Sequence, residues 1–300
     1  MKKIMLTHGY RVAGCLLLVL STHAMAQSRP DVGKLTATGG VSQVEGAGGG
    51  GLVPWALITG YGTRDSWGAN AHYTGLRTRD YSLDSVGVAI GIADRVELSL
   101  AQQHLRSSLA PLDRLSIRQD ILGVKVKLAG DAIYDQDRAL PQIAAGVMFK
   151  RNRGINGLGA LGVDNVVQLG ATDNSGTDYY VAATKLYLDS SLLLNGTVRA
   201  TKANQMGLMG FGGDRNDGYE AMLEVSAAYV FTRKLVGGVE YRQKPHNLSV
   251  DDEKAYYDAF VAWFPSKHVS VTAAYAVLGD VTVFNPKKQR GIYISVQTGF

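Results

Sequence analysis

Charged residues recur at alternate positions in several segments, where a β-strand would turn them all to one side. The basic residues of this set are Lys125, Lys127, Lys150, Lys185, Arg199 and Arg242, and the acidic ones are Glu220, Glu224, Glu240 and Asp258. If the strands enclose a lumen, a basic sector facing an acidic one would screen polar solutes by charge. The alternative is that the charges pair across a closed, packed interior and serve only its stability.

Two glycine-rich stretches match the dinucleotide-binding spacing G-x-G-x-x-G. They are "GAGGGG", which contains Gly46, Gly48 and Gly51, and "GLGALG", which contains Gly157, Gly159 and Gly162. Nucleotide binding needs a strand before the glycines and a helix after them. Neither stretch is followed by a helical period, so both are interpreted as loop tips.

The stretch "HVS" places His268 and Ser270 on one face of a strand, a pair that a hydrolase could use. Outer-membrane lipid hydrolases need such a pair on the outside of the barrel together with a third partner. Here the face shared by His268 and Ser270 points inward, and the two residues follow the short turn at 265–267 on the periplasmic side. We therefore expect no enzyme. The acidic stretches at 251–253 and 171–178 indicate solvated loops rather than calcium sites. We expect no metal and no cofactor.

The segment from Tyr219 to Phe231 shows which elements would position the charges. Its odd positions are all apolar, with aromatic residues at both ends, and its even positions carry Glu220 and Glu224. About ten residues at roughly 3.3 Å each, tilted by about 40°, rise roughly 25 Å, which matches the apolar band of an outer-membrane barrel. A two-sheet sandwich also alternates, but its strands are usually shorter.

Other segments repeat this pattern, and aromatic residues fall near strand ends. The residues expected in the two aromatic girdles are Trp55, Tyr61, Trp67, Tyr219, Tyr229, Phe231, Tyr241, Tyr257 and Trp263. Short and long connections also alternate, as periplasmic turns and outer loops would. The sequence therefore predicts an all-β fold, a transmembrane antiparallel up-and-down β-barrel.

The strand count follows from thirteen segments after residue 52 and a weaker candidate at 34–45. A bacterial barrel needs an even number, so we predict about 14 strands, with 12 as the fallback. A lumen of that width cannot be filled by side chains alone. Water or a folded-in loop, with 152–177 as the candidate, would occupy it.

The first 26 residues have the pattern of a secretory signal peptide. Lys2, Lys3 and Arg11 precede an apolar run, and "AMA" ending at Ala26 gives a cleavage site. Cys15, the single cysteine, would leave with it, and a lipobox reading of "VAGC" is disfavoured because no apolar run precedes it. Removal of three basic residues lowers the net charge of +5 by three, so no nucleic-acid partner is expected. Residues 27–300 would form the barrel domain in the outer membrane.

The stretch "TGGVSQVEGAGGGGLVPWALITGYG" at 38–62 resembles the opening of an exported Gram-negative family, domain of unknown function 3034. The resemblance implies an outer-membrane location and assigns no activity. In this interpretation Gly46 to Gly51 form an outer hairpin, and Trp55 and Tyr61 lie in an outward row. The C-terminal strand ending in Phe300 resembles the signal read by the outer-membrane insertion machinery.

These features predict a passive, porin-like channel for small polar solutes, with outer-membrane lipid, the insertion machinery and the solutes as partners. The alternative is a closed structural or surface-binding barrel whose outer loops engage a partner.

Overall fold

Alternation of inward and outward residues continues through twelve segments after residue 66, and each forms a β-strand. The computed structural model describes residues 33–300 except 111, 160–161, 252–254, 280–281, 283–284 and 286. The predicted signal peptide, with Cys15, lies outside the described residues. The barrel strands are β3 (Trp67–Thr78), β4 (Tyr81–Ile92), β5 (Val96–Ser107), β6 (Ser116–Ala129), β7 (Gln142–Asn156), β8 (Ser175–Tyr187), β9 (Leu192–Thr201), β10 (Glu220–Thr232), β11 (Leu235–Arg242), β12 (Tyr256–Ser266), β13 (Val269–Gly279) and β14 (Gln289–Gly299), preceded by β1 (Val41–Ser42) and β2 (Gly48–Gly49).

The twelve strands pair with their chain neighbours in antiparallel fashion and close into a barrel through β14 and β3. Phe300 ends this seam, with its ring 5.0 Å from that of Trp67. The expectation of about 14 strands is therefore wrong and the fallback of 12 is confirmed. The first of the counted segments and the candidate at 34–45 are not barrel strands.

Residues 33–62, called the plug below, lie inside the barrel. Val44, Leu52 and Trp55 are between 2% and 4% exposed, and β1 pairs with β2 in a small hairpin. The predictions of an outer hairpin at 46–51 and of an outward row with Trp55 and Tyr61 are wrong, because Tyr61 is also buried. Apolar side chains were expected to meet lipid, and here they meet the interior instead.

Glycine lets the tip of the plug approach the barrel wall closely. A Cβ at Gly50 would lie 1.9 Å from Oε1 of Glu240, and one at Gly49 would lie 2.6 Å from the backbone nitrogen of Trp55. At Gly49 the neighbour is backbone, so only a residue without a side chain fits there. At Gly50 an added side chain would displace the Glu240 carboxylate from its hydrogen bonds to Leu52 and Ser226. The glycine-rich motif therefore provides close packing inside the barrel rather than a flexible loop tip.

The two ends of the barrel are covered differently. At the turn end, where 93–95, 188–191 and 267–268 join strands, the longer connection 130–141 folds underneath and buries Ala132. At the opposite loop end, a 3₁₀ turn (Asn204–Gly207) and the buried Phe211 and Leu248 cover the mouth. The plug, rather than the predicted loop 152–177, fills the middle. Among the described residues no helix is long and apolar enough to cross a membrane.

Candidate functional site: the interface of plug and barrel wall

Six buried charged side chains join the plug to the wall. Glu45 of the plug forms an ion pair with Lys150 and lies 2.7 Å from Nη1 of Arg242. Asp178 lies 2.6 Å from Lys150 and 3.2 Å from Arg199. Glu224 completes the ring, 2.5 Å from Nε of Arg199 and 3.3 Å from Nε of Arg242. Three cations and three anions thus form a neutral network, called the central network below.

The central network compensates charges on side chains that are buried. Glu45, Lys150 and Asp178 have fully buried side chains, and that of Arg199 is 1% exposed. Burial alone would raise the pKa of Glu45, but Arg242, Lys150 and Arg199 together hold that pKa well below its usual range. Glu45 is therefore ionised at neutral pH, and its loss would leave the three buried cations of the central network with only two carboxylates.

A second contact clamps the plug hairpin to β5 and β6. Glu97 and Lys125 lie 3.0 Å apart. The Glu97 carboxylate accepts hydrogen bonds from the backbone N–H groups of Gly48 and Thr59, at 2.9 and 2.8 Å. Lys125 donates to the carbonyls of Gly48 and Leu57, at 2.8 and 2.6 Å. One ion pair thus satisfies backbone groups of Gly48 in the hairpin and of Leu57 and Thr59 in the segment that follows it.

A third contact lies at β10 and β11. Glu240 accepts from the N–H of Leu52 at 2.7 Å and from the hydroxyl of Ser226 at 2.8 Å, and the indole of Trp55 donates to Ser226 at 2.9 Å. Asp258 faces Glu240 across the strand pair. Its buried carboxylate accepts no hydrogen bond of good geometry from the described residues, so this wall position carries an uncompensated carboxyl group.

The predicted lumen residues divide between the interface and the barrel ends. Lys125, Lys150, Arg199, Arg242, Glu224, Glu240 and Asp258 point inward at the level of the plug. Lys127 lies at the turn end, 2.9 Å from Asp94. The prediction that Lys185 faces the lumen is wrong, because Lys185 falls in the outward row of β8 opposite Leu194, where the connection 130–141 buries it and the carbonyl of Asp135 accepts its hydrogen bond. Glu220 is half-buried at the loop end and accepts from Asn216. The cations Lys125, Lys127, Lys150, Arg199 and Arg242 thus meet carboxylates, whereas Glu240 and Asp258 form no ion pair with the described residues.

Sequence reasoning missed Glu45, Glu97 and Asp178. The last two follow the strand alternation, since Val96, Leu98, Tyr179 and Val181 face outward around them. That pattern could have identified them. Glu45 gives no such signal, because the alternation of residues 34–45 around it is weak.

His268 and Ser270, the candidate hydrolase pair, are not part of the central network. His268 lies at the turn end, where its Nδ1 is 2.9 Å from the carbonyl oxygen of Gly299, and Ser270 is buried on the inward face. No group of three or more histidine, cysteine or acidic residues able to hold a metal occurs in the described part of the chain.

The other predicted girdle residues face outward. Trp67, Tyr229, Phe231 and Trp263 lie towards the turn end, and Tyr257 lies towards the loop end, each between 43% and 58% exposed. Neighbouring aromatic rings make contact: Tyr219 with Tyr179 at 5.9 Å, and Tyr241 with Tyr257 at 5.3 Å. Aromatic residues therefore border the apolar exterior on both sides.

Comparisons with known proteins give one family and a set of distant structures. The profile of a family described as "Protein of unknown function (DUF3034)" matches residues 38–297. No curated protein matches the chain. Similar solved structures include a KdgM porin (11% identity, 77% of this chain and 99% of that chain, TM-score 0.47), a NanC porin (8%, 78% and 99%, 0.49) and outer membrane phospholipase A from Escherichia coli (9%, 80% and 94%, 0.41). Values this low carry no information on function.

Proposed function

Because the chain belongs to the DUF3034 family, whose members are described only as proteins of unknown function, its own residues must indicate the function. We propose that it is an outer-membrane channel for small polar solutes that the plug keeps closed. The observation that carries the proposal is the interface itself: charged and polar wall residues hold a separate segment of the chain inside a closed barrel.

The exterior supports the membrane location. Outward residues such as Val86, Leu100, Leu223 and Ile294 are between 45% and 55% exposed, and burial in lipid would remove this apolar area from water. Aromatic residues border the band at both ends, as at membrane interfaces. In the outer membrane, the turn end of the barrel would face the periplasm. The insertion machinery would recognise the C-terminal strand that ends at Phe300.

The polar residues of the inner wall support the proposal that the plug can be displaced from the lumen. Well-packed apolar residues stabilise a permanent core at least as well as buried ion pairs do. A wall that carries Lys125, Arg199 and Glu224 can instead be solvated once the plug is displaced. The open lumen would then present both signs of charge to a passing solute.

A closed, surface-binding barrel is the second candidate. The segment around Phe211 is packed into the mouth rather than displayed, and Asn247 donates to Asn204 across it at 3.1 Å. Such a rigid loop end could present a fixed surface to a partner.

Cross-linking separates the two candidates. The Ser42 hydroxyl donates to the Gln297 side chain at 2.7 Å, so Ser42→Cys with Gln297→Cys, joined by a short bifunctional thiol reagent, would fix the plug to the wall. The matched control is Thr74→Cys with Ser295→Cys, whose hydroxyls lie 2.8 Å apart on neighbouring strands, because it staples the wall and leaves the plug free. Both pairs are made in a Cys15→Ser background.

The measurement is single-channel conductance in planar bilayers, after insertion has been verified by heat-dependent gel mobility. We expect brief openings of the wild type and of the wall-stapled control, and none when the plug is cross-linked. Weakening the plug through Glu45→Ala should lengthen the openings. A cross-linked plug that conducts like the wild type would overturn the proposal, as would an inserted Glu45→Ala protein that never conducts.

A further inference from the structure

The outward charges of the barrel are confined to one side of it. Arginines face outward on β14, β3, β5, β6 and β7, all towards the loop end: Arg290, Arg77, Arg106, Arg118, Arg151 and Arg153. The only outward carboxylates on the described strands are Asp84 and Asp120. On β8 to β13 the one charged residue in an outward row is Lys185, which the connection 130–141 buries, so these strands expose no outward charge within their described residues. The six arginines are called the exterior arginines below.

The exterior arginines exceed their carboxylate partners. Arg77 and Arg106 both pair with Asp84, which also accepts from the hydroxyl of Tyr73 at 2.8 Å. Arg153 pairs with Asp120 at 2.5 Å. No ion pair joins Arg118, Arg151 or Arg290 to a carboxylate in the part of the chain that the structure describes. A net positive charge thus remains on this face.

A groove of about 410 Å³ lies beside Arg151 on the outer surface of β5 to β8. Two outward rows of cross-strand neighbours line it. The row farther from the loop end consists of Leu100, Leu122, Phe149 and Thr177, and the row nearer the loop end consists of Asp120, Arg151 and Ser175. Rows two residues apart are separated by about 6.6 Å, so the surface changes from apolar to polar over that distance.

We propose that this groove binds a phosphorylated lipid of the outer leaflet, with the phosphate on Arg151 and an acyl chain along Leu100, Leu122 and Phe149. A guanidinium donates two parallel hydrogen bonds to a phosphate, and phosphates are the anions available at the headgroup level of a membrane. The apolar row accounts for the chain, since Leu100 is 55% and Phe149 is 50% exposed. The proposal rests on the outer-membrane location above and is independent of conduction.

The test measures lipid retained by the purified, folded protein in native mass spectrometry. Lipid A, its enzymatically dephosphorylated form and phosphatidylcholine are each supplied in detergent. Arg151→Gln should lower retention of lipid A by ~10-fold, which corresponds to the loss of one charge-assisted hydrogen bond. Arg151→Lys should lower it by less, because lysine keeps the positive charge and loses only the two parallel donors of the guanidinium. The matched control is Arg290→Gln, which removes the same charge outside the groove and should retain lipid A like the wild type.

Each result decides the assignment. Preferential retention of lipid A that depends on Arg151 supports it. Equal retention of all three lipids by the wild type, or equal losses in Arg151→Gln and Arg290→Gln, would overturn it. Heat-dependent gel mobility identifies any variant that fails to fold, and Arg151→Lys then provides the comparison. Since the readout is bound lipid, a silent channel would leave this result unaffected.

Discussion

Arginine occurs in two contrasting regions of this barrel. Inside, Arg199 and Arg242 have side chains 1% and 5% exposed, and each contacts at least two carboxylates of the central network. Outside, Arg77 and Arg153 are 51% and 52% exposed, and the exterior arginines outnumber the carboxylates around them. The same side chain is therefore neutralised within the chain in one region and left in excess in the other.

The difference shows where each counter-charge must come from. A buried ion costs several kcal/mol unless its partner is present, on the order given for ion pairs in protein interiors, so the central network must be complete in the folded chain. An exposed arginine can take its partner from the surroundings. Substitutions in the two regions should consequently differ in size and in the property that they change.

Glu45→Ala should have the largest effect. It leaves Lys150 and Arg242 without their plug partner and should lower the free energy of unfolding by ~3–5 kcal/mol. Urea unfolding in lipid vesicles measures this change. Glu220→Gln is the control, since Glu220 is only half-buried at the loop end; equal losses in both variants would mean that the central network is not special.

Gly50→Ala should rank second. The added Cβ would meet Oε1 of Glu240 at 1.9 Å, and forcing a group into a packed interior costs ~1–3 kcal/mol. Gly196→Ala is the control, because nothing lies within 4 Å of a Cβ there. Both variants are compared in the same unfolding assay. If Gly50→Ala were as stable as its control, the plug would not sit tightly against β11.

Asp258→Asn should have a smaller effect of opposite sign. Its carboxylate is buried without an ion-pair partner among the described residues, so an amide should leave the free energy of unfolding unchanged or raise it by about 1 kcal/mol. Asp178→Asn, which removes a partner of Lys150 and Arg199, should instead destabilise the protein. A loss of similar size at both positions would indicate a bound cation at Asp258.

Arg118→Gln should have the smallest effect on folding. Arg118 is exposed on the outward face of β6, and exposed substitutions usually change stability by no more than about 0.5 kcal/mol. The midpoint of urea unfolding should therefore match that of the wild type. A clear loss would mean that the exterior arginines, like the interior ones, belong to a structural network.

The sequence predicts the wall of this barrel better than its contents. In β10 and β12 the period of two is strict, and the faces that it assigns to Glu224, Tyr257 and Asp258 are those in the structure. Alternation reports which side of a strand meets an apolar medium. It therefore locates residues on the wall whatever occupies the lumen.

The location of the plug inside the barrel could not be predicted from the sequence, for a physical reason. Its apolar residues Val53, Trp55 and Leu57 are spaced by two, like a strand facing lipid, but they are buried at 0% to 4% exposure inside the barrel. Periodicity cannot distinguish one apolar environment from another. The pairing of Glu45 with Lys150 and Arg242 likewise depends on which strands meet across the lumen, and this information is not local.

The position of the plug has a consequence for the order of folding. Ser42 contacts Gln297 across 255 positions of sequence, and Glu45 contacts Arg242 across 197. Contacts this distant form slowly because long loops must first be ordered. The plug can therefore reach its final position only after the last strands have formed. Either β14 pairs with β3 when the plug is already inside, or the barrel closes first and the plug enters afterwards through the turn end. Time-resolved protection of residues 33–62 during refolding would tell these two routes apart.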